Sequence, residues 1–127
     1  MAKAHEGLKE RLAPPAAGQK PLRQIEISVI GRKSGRRRSM PVWFVLEGSR
    51  LYLLPVKGSD TQWYKNLLRH PRIRIAARGQ KGEFRAAPIT RRPAVAAVIR
   101  KFGRKYKARI VRKLYFKFDV AVRVNLG

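Results

Sequence analysis

The 127-residue chain contains no cysteine, which excludes a disulfide framework, a thiolate nucleophile and any cysteine-ligated metal or cluster. Its two histidines, His5 and His70, lie far apart in sequence with no acidic cluster beside either, so no metal site is expected. Asp and Glu together number 7, and they form neither an acid pair nor part of a catalytic triad. No segment approaches the roughly 18 apolar residues that a spanning helix needs. The start, Met1 to Leu12, is polar and helical in tendency and lacks the apolar core of a signal peptide. The expected location is therefore the cytoplasm. Internal repeats and low-complexity tracts are also missing.

Positive charge is what the chain has in excess. Lys and Arg number 31, giving a formal net charge of +24, so the partner is expected to be anionic. Nucleic acid, an anionic membrane surface and a polyanionic small molecule all satisfy that condition, and charge alone does not choose among them. With 44% apolar residues over 127 positions, one modest core is expected. Pro14-Pro15 and the stretch after them set off residues 1–20, a helix and linker, from a domain over residues 21–127.

Within that domain, Ile25, Ile27 and Val29 alternate with Gln24, Glu26 and Ser28, and Met40, Val42, Phe44 and Leu46 repeat the same period of two. Glu47-Gly48-Ser49 then turns the chain into a strand over Leu51–Val56. Gly58-Ser59-Asp60 supplies a break and N-cap candidates for a helix carrying Trp63, Tyr64, Leu67 and Leu68, which His70-Pro71 stops. A hairpin over Ile73–Ile89 follows, then a helix capped by Thr90 with Pro93 early and Val95, Val98, Ile99 and Phe102 as its stripe. Residues 100–117 read as a basic amphipathic helix, and Phe118–Val124 as the last strand. The expected fold is mainly β with peripheral helices (α+β), six strands forming a small barrel or rolled sheet.

Between the first two strands lies Gly31-Arg32-Lys33-Ser34-Gly35-Arg36-Arg37-Arg38-Ser39-Met40-Pro41, a loop suited to holding an anion. Gly31 and Gly35 can take positive φ and bring backbone N–H groups to a ligand; Ser34, Arg32, Lys33 and Arg38 add a hydroxyl and charge. A solvated basic hairpin tip is the plain alternative.

Taken with the later Trp63-Tyr64-Lys65-Asn66-Leu67 and His70-Pro71, this loop resembles the deazaflavin-dependent nitroreductase family, split-barrel oxidoreductases that use coenzyme F420. The resemblance spans roughly Ile25 to Ile75. It implies a six-stranded split β-barrel, similar to flavin mononucleotide (FMN) binding proteins, and a polyanionic cofactor that suits a basic cleft. It implies that Arg32, Lys33, Ser34 and Arg38 hold the phosphate and glutamate tail. Ser39, Met40, Pro41, Val42 and Trp43, then Leu54, Pro55, Val56 and Lys57, then Gln62, Trp63, Tyr64, Lys65 and Asn66, would line the deazaflavin. The implied chemistry is hydride transfer to a quinone, nitro compound or other electrophilic acceptor. Trp43 is the candidate on the substrate side, and Tyr106 the candidate for closing the pocket and donating a proton. A homodimer paired along a sheet face is a further expectation. The alternatives are an FMN-using enzyme on the same barrel and a small basic barrel that binds nucleic acid or anionic lipid without catalysis. The basic segment could also seat the protein on the inner face of a membrane.

Overall fold

A computed structural model describes residues 6–12 and 22–127. His5, the Pro14-Pro15 break and the domain start at Pro21 lie outside the described residues. The elements are α1 (Glu6–Leu12), β1 (Gln24–Ile30), β2 (Arg37–Trp43), β3 (Val45–Glu47), β4 (Arg50–Leu53), α2 (Gln62–Arg69), β5 (Arg72–Ala77), β6 (Gln80–Ile89), α3 (Arg92–Tyr106), α4 (Ala108–Leu114) and β7 (Ala121–Asn125). A single 3-10 turn, Gly58–Asp60, precedes α2.

The strands form one sheet in the order β2-β1-β5-β6-β7-β4-β3, with every ladder antiparallel. It curls into a half-barrel because β6 serves two neighbours. Its first half, Gln80 to Arg85, pairs with β5, and its second half, Ala86 to Ile89, pairs with β7.

Seven strands replace the expected six, because the Met40–Leu46 run is two strands and not one. The division falls at Phe44, whose backbone bonds to side chains of α3 in place of a neighbouring strand. Its N–H donates to the Tyr106 hydroxyl at 3.1 Å, and its carbonyl accepts from Lys105 Nζ at 2.8 Å. Released from the ladder there, the chain leaves β1 as partner and joins β4.

Two cores result. Ile25, Ile27, Val29, Ile73 and Ile75 fill the inside of the half-barrel together with Leu51, Leu53, Val122 and Val124. The opposite faces of β4 and β7 pack Tyr52, Leu54 and Ala121 against Val98, Phe102 and Tyr106 of α3. Strand period two therefore sends successive residues of β4 into different cores.

The helices also differ from expectation at their ends. Thr61, not a residue of the Gly58–Asp60 turn, caps α2, and its hydroxyl accepts from the Lys57 N–H at 2.8 Å instead of capping. Arg91, not Thr90, holds the N-cap position of α3, and no side chain caps that end. The basic segment is not one helix: Lys107, at φ 73, breaks it into α3 and α4. Among the described residues no helix is long and apolar enough to cross a membrane.

Candidate functional site

The hairpin of β1 and β2, the α2 helix and the segment after β4 enclose a cleft with two chemically distinct ends. One end is a slot of about 580 Å³ lined by Met40, Val42, Trp43, Leu54, Trp63 and Tyr115, among others. The other is a cavity of about 400 Å³ lined by Gly31, Arg32, Lys33, Ser34, Arg38 and Asn66. Met40, Gln62 and Trp63 line both, so the two are continuous.

The polar end is built by the β1–β2 turn. The Gly31 N–H donates to the Arg36 carbonyl at 2.7 Å, the Gly35 N–H donates to the Gly31 carbonyl at 2.9 Å, and Gly35 takes φ +71. Gly31 is needed for space: a Cβ there would sit 2.6 Å from Ser34 Oγ and 3.3 Å from the Arg36 carbonyl. The expected open row of backbone donors is corrected here. The N–H groups of Gly31 and Gly35 serve the loop, that of Arg36 goes to Ser34 Oγ, and that of Arg32 goes to Asn66. The N–H groups of Lys33 and Ser34 and the side chains of the loop are what this end has left to offer an anion.

Arg32 braces the loop against α2. Its Nη1 donates to Asn66 Oδ1 at 2.8 Å, its backbone N–H reaches the same oxygen at 3.1 Å, and its Nη2 donates to Gln62 Oε1 at 2.8 Å. Asn66 is buried, so this pair also satisfies a polar group that would otherwise be costly. Lys33 and Arg38 make no hydrogen bond or ion pair with any described residue and face the same cavity. Ser39 is placed differently from expectation, with its hydroxyl paired to that of Ser28 at 2.8 Å.

The apolar end is positioned by the β2 edge and by contacts that run to the C-terminal part of the chain. Pro41, which cannot donate to a ladder, sits on this edge strand opposite Glu26. Trp43 stacks on Tyr106 with ring centroids 4.2 Å apart and 7° between planes, and Tyr115 lies 6.1 Å away at a tilt. The Phe116 N–H donates to the Val56 carbonyl at 2.8 Å, and the Ser59 N–H donates to Asp119 at 2.9 Å, closing one wall.

Of the residues expected to line the ring site, Met40, Pro41, Val42, Trp43, Leu54, Val56, Lys57, Gln62 and Trp63 line the apolar slot. Pro55, Tyr64 and Lys65 line neither part of the cleft. Tyr64 is core, 3% exposed, and burial raises its phenol pKa. Tyr106 is also corrected: it is 1% exposed and absent from the cleft wall. Its hydroxyl accepts from the Phe44 N–H and lies 2.6 Å from the Arg23 carbonyl and 2.9 Å from the Phe44 carbonyl. Burial pushes its pKa up to about 12, and no acceptor can reach it there.

Sequence reasoning missed Gln24, Asp60, Thr61, Leu114 and Tyr115 as cleft residues. Gln24 could have been found, because it stands opposite Trp43 in the β1–β2 register. Tyr115 follows the end of α4, where its N–H donates to the Val111 carbonyl at 3.0 Å, and its hydroxyl makes no hydrogen bond to any described residue. Burial raises its pKa, so its phenol stays protonated at neutral pH.

A half-barrel that joins a cationic cavity to an aromatic slot defines a split-barrel oxidoreductase for a phosphate-bearing ring cofactor. The chain belongs to the F420H(2)-dependent quinone reductase family, which matches residues 14–126. It is an F420-dependent oxidoreductase. No curated protein sequence matches it. Among solved structures it is similar to an F420-H2 dependent reductase, FDR-A, at 17% identity and a TM-score of 0.64 over 85% of this chain and 100% of that one. A conserved hypothetical protein from Mycobacterium tuberculosis aligns at 19% identity and TM-score 0.64, covering 80% of this chain and 71% of that one. A structure described as a domain-swapped dimer aligns at 17% identity and TM-score 0.65, covering 97% and 95%.

The residues present fit the family's cofactor. A ring occupies an apolar slot, a phosphate and several carboxylates need cations, and the cleft offers these in one run with a loop that a Cβ at Gly31 would disrupt.

Proposed function

We propose that this protein transfers a hydride from F420H2 to a quinone-like acceptor, with the cofactor's tail on Lys33 and Arg38 and its ring between Trp63 and the β2 edge. The observation that carries the reading is the continuity of the cationic and apolar ends through Met40, Gln62 and Trp63. The bound cofactor supplies the hydride chemistry. The chain's own work is to bind, orient and keep water out.

Lys33 and Arg38 neutralise the anionic tail. Arg32, held by Gln62 and Asn66, keeps the turn in register with α2, so the two ends of the cleft stay at a fixed separation. Met40, Val42, Trp43 and Leu54 exclude water from one side of the ring site. Tyr115 takes the place first expected for Tyr106: it lines the slot, and its protonated hydroxyl has no partner among the described residues. It would supply the proton taken up by the acceptor's oxygen once the acceptor has gained a hydride.

Acceptor access is part of the same proposal. Phe116 is 75% exposed, Leu114 47% and Val56 39%, and the latter two also line the slot. Arg109, Lys113 and Lys107 surround this apolar patch on α4 and its flank. Such a face suits the headgroup boundary of an anionic bilayer, where apolar quinones dissolve. Self-association, carried over from the family resemblance, would be read by light scattering.

The test is a fluorescence titration with oxidised F420 beside FMN and a single-stranded oligonucleotide at about 0.15 M salt, followed by turnover with menaquinone and a nitroaromatic. Selective F420 binding with quinone turnover supports the reading. Preference for the oligonucleotide, with affinity falling steeply as salt rises, would refute it.

A further inference from the structure

Outside the cofactor cleft, the base of α3 covers a cavity of about 550 Å³ over strands β4, β6 and β7. It shares no lining residue with the cleft. Thr90, Arg91, Lys101 and Arg123 bring polar groups to it, while Pro88, Ile89, Ala97 and Val98 make an apolar floor and Tyr52 adds a ring.

No acidic residue lines this cavity. Glu47 approaches it only from outside, where it accepts from Lys101 Nζ at 2.6 Å, and that bond holds its carboxyl below the usual range. Arg123 stands in the middle of the sheet, between Tyr52 and Ala87. Its Nε is fully buried and has no hydrogen-bond partner among the described residues. Above it, the N-terminus of the 15-residue α3 carries no side-chain cap. Pro93 lacks a donor and the Val95 N–H is taken by the Arg91 carbonyl at 2.9 Å, leaving the early N–H groups of Arg92 and Ala94 for an outside acceptor.

Guanidinium, ammonium and helix N-terminus therefore converge on one space with a single external carboxylate to offset them. An anion in that space meets the positive charge of Arg123 and the open helix end together. We propose that this cavity is a second, non-cofactor site for a small phosphate monoester carrying an apolar or aromatic body. The phosphate sits between Arg91, Arg123 and the start of α3, and the apolar body lies against Pro88, Ile89 and Tyr52. The volume lies within the ordinary range for small-ligand pockets, roughly 300–1,000 Å³, and exceeds what inorganic phosphate fills. This site does not depend on the hydride-transfer reading.

Calorimetric titration with phenyl phosphate tests it, using the Lys33→Ala/Arg38→Ala background so that the cofactor cleft does not compete. One-to-one binding is expected, with phenol alone silent and inorganic phosphate weaker. Arg123→Met should weaken phenyl phosphate about tenfold or more, the scale of a lost charge-assisted pair. Without ligand, Arg123→Met should melt no lower than its parent, because it removes an unpartnered buried nitrogen. Arg91→Ala, an exposed change, provides a second variant and should weaken binding severalfold. Unchanged affinity in both variants would overturn the site. So would an Arg123→Met protein that melts lower yet binds phenyl phosphate as before, since Arg123 would then be a structural residue only.

Discussion

Replacing Tyr106 with Phe separates the structural role of that residue from the catalytic one first expected of it. The ring stays, and with it the stack on Trp43 at 4.2 Å. Only the hydroxyl is lost, and with it three backbone contacts. The Phe44 carbonyl keeps Lys105 Nζ as a donor at 2.8 Å, but the Phe44 N–H is left buried with no acceptor. A buried donor left unmade costs about 1–3 kcal/mol, and the Arg23 carbonyl adds part of a second loss, so about 2 kcal/mol is expected. For a domain of this size that lowers the melting temperature by about 6–10 °C. Urea denaturation followed by tryptophan fluorescence reads it, with the slope unchanged because the surface exposed on unfolding is unchanged. Quinone turnover at saturating F420H2, well below the melting temperature, should stay within about twofold of wild type. A stability loss under about 0.5 kcal/mol, or a tenfold fall in turnover with stability intact, would refute the assignment and return Tyr106 to the reaction.

Tyr115→Phe should behave in the opposite way, lowering kcat about 10²-fold or more if its proton is used, while F420 affinity measured by fluorescence is unchanged. Lys33→Ala and Arg38→Ala should each weaken F420 about tenfold without unfolding the domain, with the deficit shrinking as salt rises; unchanged binding in both would sink the tail assignment. Asn66→Ala should weaken F420 and also destabilise the fold by about 1–2 kcal/mol, since it frees Arg32 and leaves the Arg32 N–H unpaired. Burial, aided by the neighbouring Arg23 charge, lowers the Lys105 pKa to about 8. The unfolded chain then binds more protons than the native one between about pH 8 and 10.5, so stability should rise with pH across that window. Lys105→Met should remove that part of the rise in chemical-denaturation scans compared side by side. Phe116→Ser, at a 75% exposed position, should leave stability unchanged but weaken cosedimentation with anionic vesicles.

The hairpin of β1 and β2 was legible because its alternation is local: Ile25, Ile27 and Val29 are all buried at 3% or less. The loop after β1 was legible as a glycine- and cation-rich turn for the same reason, since its glycines and cations lie within a few residues of one another. The division of β2 from β3 was not, because Phe44 continues the apolar period and its release from the ladder depends on Tyr106, 62 positions away. The break at Lys107 was hidden in the same way. Its positive φ falls within a run of good helix formers, which gives no local sign of it. Tyr115 escaped notice because its place in the slot follows from that break, which turns the end of the basic segment back toward Val56.

These two hidden features are connected, and together they explain why the cleft lies where it does. Tyr106 is the last residue of α3 and holds open the crossover at Phe44. Lys107 then turns the chain so that α4 and Tyr115 close the slot beside Trp43. The residue before the crossover, Trp43, is thereby fixed between the core stack and the cavity. A strand crossing between sheet partners leaves an unpaired edge, and here that edge forms one side of the slot, where a planar ring can lie without displacing a ladder hydrogen bond. The same contact that ends β2 therefore shapes the slot. Loosening it should weaken F420 binding through the slot while leaving the salt-dependent contribution of Lys33 and Arg38 intact, a split that titrations of Tyr106→Phe at two salt concentrations would measure.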